Sequence, residues 1–246
     1  VAETLFISDL HLDRERPEIR NIFHQFLSNR ASQADALYIL GDLFEFWIGS
    51  DDPADTHLDT LEALKQLSDS GVPVYFIPGN RDFLVDQVFT EQSGCQILDD
   101  HTVIDLYDNP ALIMHGDTLC TDDIEYQKMR QMFRNPEWQA GFLALPYEAR
   151  LQQVLALRKK SAEAMQDKAE YIMDVNQTAV ENALREHEVS RLIHGHTHRP
   201  AIHEFELDNQ KVTRYVLGDW YEQGSLLSCT PEGCSLTELP ADQGQD

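Results

Sequence analysis

Thr4-Leu5-Phe6-Ile7 runs directly into Ser8-Asp9-Leu10-His11, and Ala36-Leu37-Tyr38-Ile39-Leu40 runs into Gly41-Asp42-Leu43-Phe44-Glu45. Each is a short, β-prone apolar run stopped by a polar turn that carries Asp or His. The pattern returns three times. Val74-Tyr75-Phe76-Ile77 breaks at Pro78-Gly79-Asn80-Arg81-Asp82, Ala111-Leu112-Ile113-Met114 ends at His115-Gly116-Asp117, and Leu192-Ile193 ends at His194-Gly195-His196-Thr197-His198. Between the first runs lie helical patterns: Ile19, Ile22, Phe23, Phe26 and Leu27 over residues 17–30, then Leu58, Leu61, Leu64 and Leu67 over 57–70, closed by Gly71 and Pro73. Strands separated by helices imply βαβ units in a largely buried sheet. In such sheets ligands gather at the carboxyl ends of the strands, so these turns present chemistry along one rim.

Working outward, a chain of 246 residues is long enough for one large α/β domain or two small ones. We read it as one domain over residues 1–240. Beyond Pro200 it turns strand-rich, at 212–217 and 226–229, before a Pro/Gly-punctuated tail whose last six residues read as frayed. Hydrophobic residues at 42% and charged residues at 25% exclude a disordered, collagen-like or coiled-coil chain. No stretch reaches the roughly 18 apolar residues of a membrane span. Val1-Ala2-Glu3-Thr4 lacks the basic start of a signal peptide, so a cytoplasmic location is expected. The net charge of −24 repels a long polyanion and excludes a nucleic-acid tracking surface. A phosphate-bearing ligand must therefore be drawn by a local cationic feature, and metal ions would serve. Cys95, Cys120, Cys229 and Cys234 show no CxxC pairing, and reduced thiols are expected.

Residues 120–170 stand apart. They carry eight of the 19 basic residues and as many acidic ones, so the segment is neutral within an acidic chain. It is also rich in large apolar side chains, among them Met129, Phe133, Trp138, Phe142 and Leu157, and Pro136 and Pro146 divide it into short helices. It reads as a helical cap or lid inserted between the His115 turn and a long helix ending near His187.

Singly the turns carry little information. Together they place Asp9, His11, Asp42, Asn80, His115, His196 and His198 at successive strand ends. Mixed carboxylate, carboxamide and imidazole donors suit hard-to-borderline divalent ions such as Mn²⁺. A bridging carboxylate holds two ions about 3.5–4 Å apart, the separation at which a pair clamps a phosphoryl group.

This order of motifs, from Asp9 to His198, resembles the calcineurin-like metallophosphoesterases. The resemblance implies an α/β fold, a two-sheet sandwich with flanking helices, here with the helical lid inserted. It implies two Mn²⁺ or other divalent ions, one held by Asp9, His11, Asp42 and His198. Asp42, Asn80, His115 and His196 would hold the second, with Asp42 bridging. Asp42, Asn80, Arg81, His115 and His196 then form the catalytic set. One departure is evident: the family pattern has His where this chain has Arg81. Arg donates no proton at neutral pH but grips phosphate bidentately, which suits a diphosphate whose leaving group is weakly basic.

A narrower likeness is carried by Gly79-Asn80-Arg81-Asp82-Phe83-Leu84, residues 115–123, Ile172-Met173-Asp174-Val175-Asn176 and residues 193–200. These resemble the branch of that family that cleaves UDP-2,3-diacylglucosamine in the lipid A pathway. The resemblance implies attack by metal-bound hydroxide on the α-phosphorus, giving UMP and 2,3-diacylglucosamine 1-phosphate. Substrate contacts would fall on Asn80, Arg81, Asp123, Ser161, Met165, Lys168 and His196, with Met165 where relatives carry a polar Asn. A neutral, apolar cap bearing Arg and Lys fits two acyl chains on a sugar phosphate. It also fits peripheral contact with the cytoplasmic face of the inner membrane. No nucleic acid and no obligate protein partner is inferred. The alternatives are a metallophosphoesterase acting on another nucleotide or phosphodiester, and a fold kept only as an interaction scaffold.

Overall fold

The computed structural model describes residues 2–166 and 174–239, with side chains in the helix before the gap described as far as Ser161. Two sheets face each other. The first has the order β11-β10-β1-β2-β3-β4, formed by β1 (Thr4–Ile7), β2 (Ala36–Ile39), β3 (Val74–Phe76), β4 (Gln96–Ile97), β10 (Gly224–Thr230) and β11 (Gly233–Leu239). β1 to β4 are mutually parallel, and β10 joins β1 antiparallel with Leu5 opposite Ser228. The second has the order β5-β6-β7-β9-β8, from β5 (Thr102–Asp105), β6 (Pro110–Met114), β7 (Arg191–His194), β8 (Ala201–Leu207) and β9 (Gln210–Val216). The sandwich expected from the motif order is the observed fold.

Alternation along the strands sets the layers, because successive side chains of a strand point to opposite faces. In β1, Phe6 joins Leu40, Ile77, Ile113, Ile193 and Leu227 between the sheets, while Leu5 and Ile7 join the opposite core. That outer core is closed by α1 (Pro17–Asn29), α2 (Leu58–Asp69) and α3 (Gln87–Ser93), through Ile19, Phe23, Leu64 and Phe89. The outer face of the second sheet is covered by α7 (Gln177–Glu186), whose Val180, Ala183 and Leu184 pack on Leu112, Met114 and Leu192. The layers are therefore helix, sheet, sheet, helix. All five chemistry-bearing turns follow β1, β2, β3, β6 and β7.

The segment between β6 and α7 is helical, as its apolar spacing and prolines suggest. It forms α4 (Ile124–Phe133), α5 (Pro136–Leu143) and α6 (Tyr147–Gln166). Pro136 occupies the first turn of α5, where its missing N–H costs nothing, and Asn135 Oδ1 accepts from Glu137 N and Trp138 N. None of the side chains of α4 is buried and only Phe142 of α5 is, so these helices overlie the scaffold rather than fill it.

Several elements differ from the sequence reading. The helix before His187 spans only 10 described residues, opened by Asn176 accepting from Ala179 N. The tail after 229 is a full strand, β11, and β5 and β8 also went unread. These are edge strands, partly or wholly solvated, so their apolar alternation is weak. The frayed stretch lies outside the described residues. Cys229 and Cys234 are not separate thiols: they form a disulfide. The β10–β11 hairpin sets them opposite each other with Cα atoms 4.0 Å apart, a proximity that spacing alone does not reveal. Cys95 and Cys120 are free and buried.

Candidate functional site

The five turns are knitted together through their backbones. Asp9 N donates to Gly41 O at 3.1 Å, His11 N to Asp42 O at 3.0 Å, and Gly195 N to His115 O at 2.8 Å. Asp82 is the central clamp, although sequence reasoning gave it no role. Its Oδ1 accepts from Gly79 N (2.8 Å) and Asp42 N (3.2 Å), and its Oδ2 from Leu43 N (2.7 Å) and Phe44 N (3.4 Å). One buried carboxylate thus fixes the turns after β2 and β3 to each other. Gly79 and Gly195 are small for a reason of space: a Cβ on the first would strike the Asp42 carboxylate, and on the second Ser8 and Asp9.

Asp9, His11, Asp42, His196 and His198 all have positive φ, between 49° and 68°. Non-glycine residues adopt this region at a cost of roughly 1–3 kcal/mol each, and such residues cluster where surrounding structure holds a site in place. The strained turns bring together the side chains singled out in the sequence. Asp9, His11 and His198 offer donor atoms within 4.8 Å of one another, and so do Asp9, Asp42 and His115. Asp9 is therefore common to both groups, as well as Asp42 lying between the histidines. Asn80 Oδ1 lies 3.0 Å from His115 Nε2. His196 sets its ring edge-on to His115 at 5.0 Å between centroids, and its backbone N–H donates to Asp9 Oδ2 at 2.9 Å.

Three imidazoles share one orientation. His11 Nε2 and His198 Nε2 approach to 3.4 Å, and His115 Nε2 stands 3.8 Å from Asp42 Oδ1, so the Nε2 atoms converge. Each Nδ1 faces outward, His115 to Leu40 O at 2.8 Å, His198 to Asp219 Oδ2 at 3.4 Å and His11 to Glu45 Oε2 at 3.4 Å. Outer partners of this kind fix the tautomer that leaves Nε2 free to ligate. Asp219 was not found from sequence, since no motif surrounds it.

The donors fit divalent cations. Asp9 Oδ1 is buried without a hydrogen-bond partner among the described residues, and two imidazole nitrogens face each other across 3.4 Å. The protonation balance shows the same crowding. Burial raises Asp42 to about 7, with Asp82 and Asp9 adding to the rise. Burial alone would lower His115, but Asp42 and Asp9 raise it to about 9. Burial lowers His11 to about 3 and His196 to about 4. Asp9 falls below the usual carboxylate range because His198, with Nε2 3.3 Å from its Oδ1, and the imidazoles of His115 and His11 together outweigh burial. Two buried carboxylates beside four imidazoles compete for few protons, whereas cations would satisfy them together.

Beside the cluster opens a cleft of about 1020 Å³, counting the solvent at its mouth. Its mouth, the end beside the cluster, carries Asn80, Arg81 and Glu45; the wholly buried Asp117 also lines it, and its walls are Phe46, Trp47, Phe83, Phe133, Trp138 and Leu157. Ser161 also lines it. Asp123 does not; it caps α4 by accepting from Tyr126 N at 3.1 Å. The Met165 side chain and Lys168 lie outside the described residues. The four arginines of 120–170 prove to be anchors. Arg130 holds Asp117 and Asp100, Arg134 donates to Pro78 O and Gly79 O, Arg150 donates to Ile48 O and pairs with Asp51, and Arg158 pairs with Glu45. These pins fasten α4 and α6 to the turns of the site.

Comparison with known proteins agrees with this geometry. A protein named UDP-2,3-diacylglucosamine hydrolase from Nitrosococcus oceani is 55% identical over 235 residues, covering 96% of this chain and 94% of its own length. Proteins of the same name from Serratia proteamaculans and Stenotrophomonas maltophilia are each 51% identical, covering 96% of this chain and 99% and 98% of their own lengths. The model of the calcineurin-like phosphoesterase family matches residues 3–200, a span that takes in all five strand-end turns. The chain belongs to the calcineurin-like phosphoesterase family.

Proposed function

We propose that this chain hydrolyses the diphosphate of UDP-2,3-diacylglucosamine, releasing UMP and 2,3-diacylglucosamine 1-phosphate. The observation that carries the reading is the union of an apolar-walled cleft with the donor cluster at its mouth. A polar nucleotide gains at most the stacking of a base on walls of Phe83, Phe133, Trp138 and Leu157, whereas acyl chains gain about 25 cal/mol for each Å² of apolar surface they bury along them. The relatives that bear this substrate's name are about half identical along nearly the whole chain.

Two divalent ions, which we assign as Mn²⁺, would be held by Asp9, His11, Asp42 and His198 and by Asp42, Asn80, His115 and His196. They would supply charge neutralisation of the diphosphate and acidification of water. Release of UMP requires water to add at the phosphorus nearer uridine and the bond from that phosphorus to the bridging oxygen to break. Arg81, with its backbone N–H on Asp42 Oδ1 at 2.8 Å, places a guanidinium at the cleft mouth for the phosphate oxygens. The departing sugar phosphate is weakly basic and leaves without a strong acid, consistent with Arg81 in place of the family's His. Asp123 reaches substrate in this reading only if the cap of α4 lends its second oxygen, so we place it after Asn80, Arg81 and Ser161 in importance.

We further propose that α4 to α6 form a lid within one domain spanning residues 1–240. Ile124, Met132, Leu143 and Leu155 are exposed on these helices, and Lys159 and Lys160 are exposed beside Leu155. That combination supports reversible contact with the anionic surface of the inner membrane on its cytoplasmic side. No helix among the described residues is long and apolar enough to cross a membrane.

The decisive experiment is a Mn²⁺-supplemented assay comparing UDP-2,3-diacylglucosamine with diadenosine tetraphosphate and a phosphodiester reporter. The expected result is preference for the lipid substrate with UMP as product. Release of UDP, or faster turnover of either polar substrate, would overturn the reading.

A further inference from the structure

Glu45 bridges the donor cluster and α6, since its two oxygens face different partners. Only 8% of the residue is exposed. Its Oε2 is 3.4 Å from His11 Nδ1. Its Oε1 pairs with Arg158 of α6 and stands 3.5 Å from Arg81 Nη1. A carboxylate so placed meets His11 at Nδ1, on the side away from the converging Nε2 atoms. It links the back of one ligand to the two guanidiniums that face an incoming anion.

We propose that Glu45 is a positioning residue with two coupled tasks: it orients His11 for its cation, and it parks Arg158 and Arg81 at the cleft mouth until a phosphate takes them. The inference rests on the reading of the cluster as a metal centre and of the cleft mouth as a phosphate site. The geometry explains both tasks. His11 has no other outward partner: its Nδ1 is buried and forms no full hydrogen bond among the described residues, so the Glu45 carboxylate is what sets its outward side. Arg158 is fixed to the scaffold across the cleft mouth by the same side chain, although it stands on the far helix of the lid. A diphosphate offers the guanidiniums more charge and more acceptors than one carboxylate does, so the arginines exchange partners when it arrives. Glu45 is then released to serve His11 alone. The residue thus lowers the affinity of the mouth for any weak anion while keeping the guanidiniums aligned for a strong one.

The test combines two titrations on the full chain. In the first, Mn²⁺ binding is followed through the electron paramagnetic resonance of the free ion. Glu45→Gln is expected to weaken one of two ions by about 10- to 100-fold, the range for loss of an outer partner of a ligating His, and to leave the other within about threefold. Arg158→Met should leave both within about threefold. In the second, UMP binding is measured by calorimetry at saturating Mn²⁺. Glu45→Gln should bind UMP about two- to fivefold tighter, the scale of a partly exposed ion pair, and the gain should vanish when Arg158→Met is added. Glu45→Asp keeps the charge but shortens the reach, so it should loosen the ion as Glu45→Gln does; it also serves if the amide variant fails to fold. Unchanged Mn²⁺ binding in both Glu45 variants, or a UMP affinity indifferent to Glu45→Gln, overturns the proposal. Neither titration involves turnover of the lipid substrate. Failure to cleave that substrate alongside the expected titrations would fault the substrate assignment and leave the role of Glu45 standing.

Discussion

Asp82→Asn is the sharpest probe of how the site is held. The Asp82 side chain is wholly buried and accepts four backbone N–H groups, two on each oxygen, from Gly79, Asp42, Leu43 and Phe44. Asparagine retains one oxygen, so its better orientation keeps two of these bonds and turns an NH₂ against the other two donors. Hydrogen bonds to a charged group contribute about 1.5–3 kcal/mol each. Their loss is offset in part, because burial pushes the Asp82 pKa upward despite the backbone hydrogen bonds and His115, and the amide removes that cost. A net destabilisation of about 3 kcal/mol follows. For a chain of this length that corresponds to a melting temperature lower by about 6–12 °C. The same clamp places Asp42 and Asn80, so Mn²⁺ affinity should fall by about tenfold or more, as for other outer-shell losses. Thermal unfolding by circular dichroism and a Mn²⁺ titration of the folded variant measure the two effects. A melting point within about 2 °C of the parent would refute the hydrogen-bond accounting. A large thermal shift with unchanged Mn²⁺ affinity would show that Asp82 holds the fold without placing the ligands.

Four other outcomes are expected. Arg81→Ala should reduce cleavage of the diphosphate substrate more than that of a small activated phosphodiester, and Arg81→Lys should restore little, since lysine lacks the planar fork; equal losses on both substrates would remove the clamp role. Phe133→Ala, which opens the stack of Phe83, Phe133 and Trp138 (centroids 5.9 and 4.8 Å apart), should raise KM for the diacylated substrate several-fold; no change would detach the cleft from the acyl chains. Removing divalent ions with a chelator should abolish UMP binding measured by calorimetry as well as turnover, and undiminished binding would contradict a cation-dependent phosphate site. Burial lowers the His57 pKa to about 4 from an unfolded value near 6.5, so the unfolded chain binds the extra proton and stability falls as pH drops from about 6.5 to 4, by at most about 1.4 kcal/mol per unit. His57→Phe should reduce that slope in denaturant titrations at pH 7 and 5, leaving the part due to buried His11, His194 and His196, and an unaltered slope would exclude His57 as a contributor.

The parts of the site legible in sequence are those written as strand followed by turn. Asp9, His11, Asp42, Asn80, His115, His196 and His198 each follow a short apolar run, and strand direction alone carries their side chains to one rim. What sequence leaves out are contacts between turns. Asp82 was visible as the end of Asn80-Arg81-Asp82, but its partners, Asp42 to Phe44, lie about 40 residues away. Asp219 and Tyr221 reach His198 and His11 from a loop after β9 that has no motif of its own. The disulfide and the edge strands β5, β8 and β11 were hidden for a related reason: pairing across strands is set by register, and solvated edges carry little hydrophobic pattern.

The charge of the chain makes sense only when the arginines are placed. A net −24 spread over the molecule would repel a diphosphate, and at the site itself Asp9, Asp42, Glu45 and Asp117 are all buried. Against them stand Arg81, Arg130, Arg134 and Arg158 along the cleft, but each is already engaged: Arg130 with Asp117, Arg134 with the carbonyls of Pro78 and Gly79, Arg81 and Arg158 with Glu45. These side chains therefore balance the local carboxylates and fasten the helices without leaving a surplus of positive charge. The attraction for phosphate has to come from cations held by the histidine and aspartate cluster, whose field acts in a partly desolvated mouth where it is weakly screened. It follows that the helices over the cleft and the donor cluster are not independent modules. The arginines that pin the helices are the same groups that must be balanced before an anion enters, so the order of events at this site is set by the cluster being filled first and the guanidiniums changing partners second.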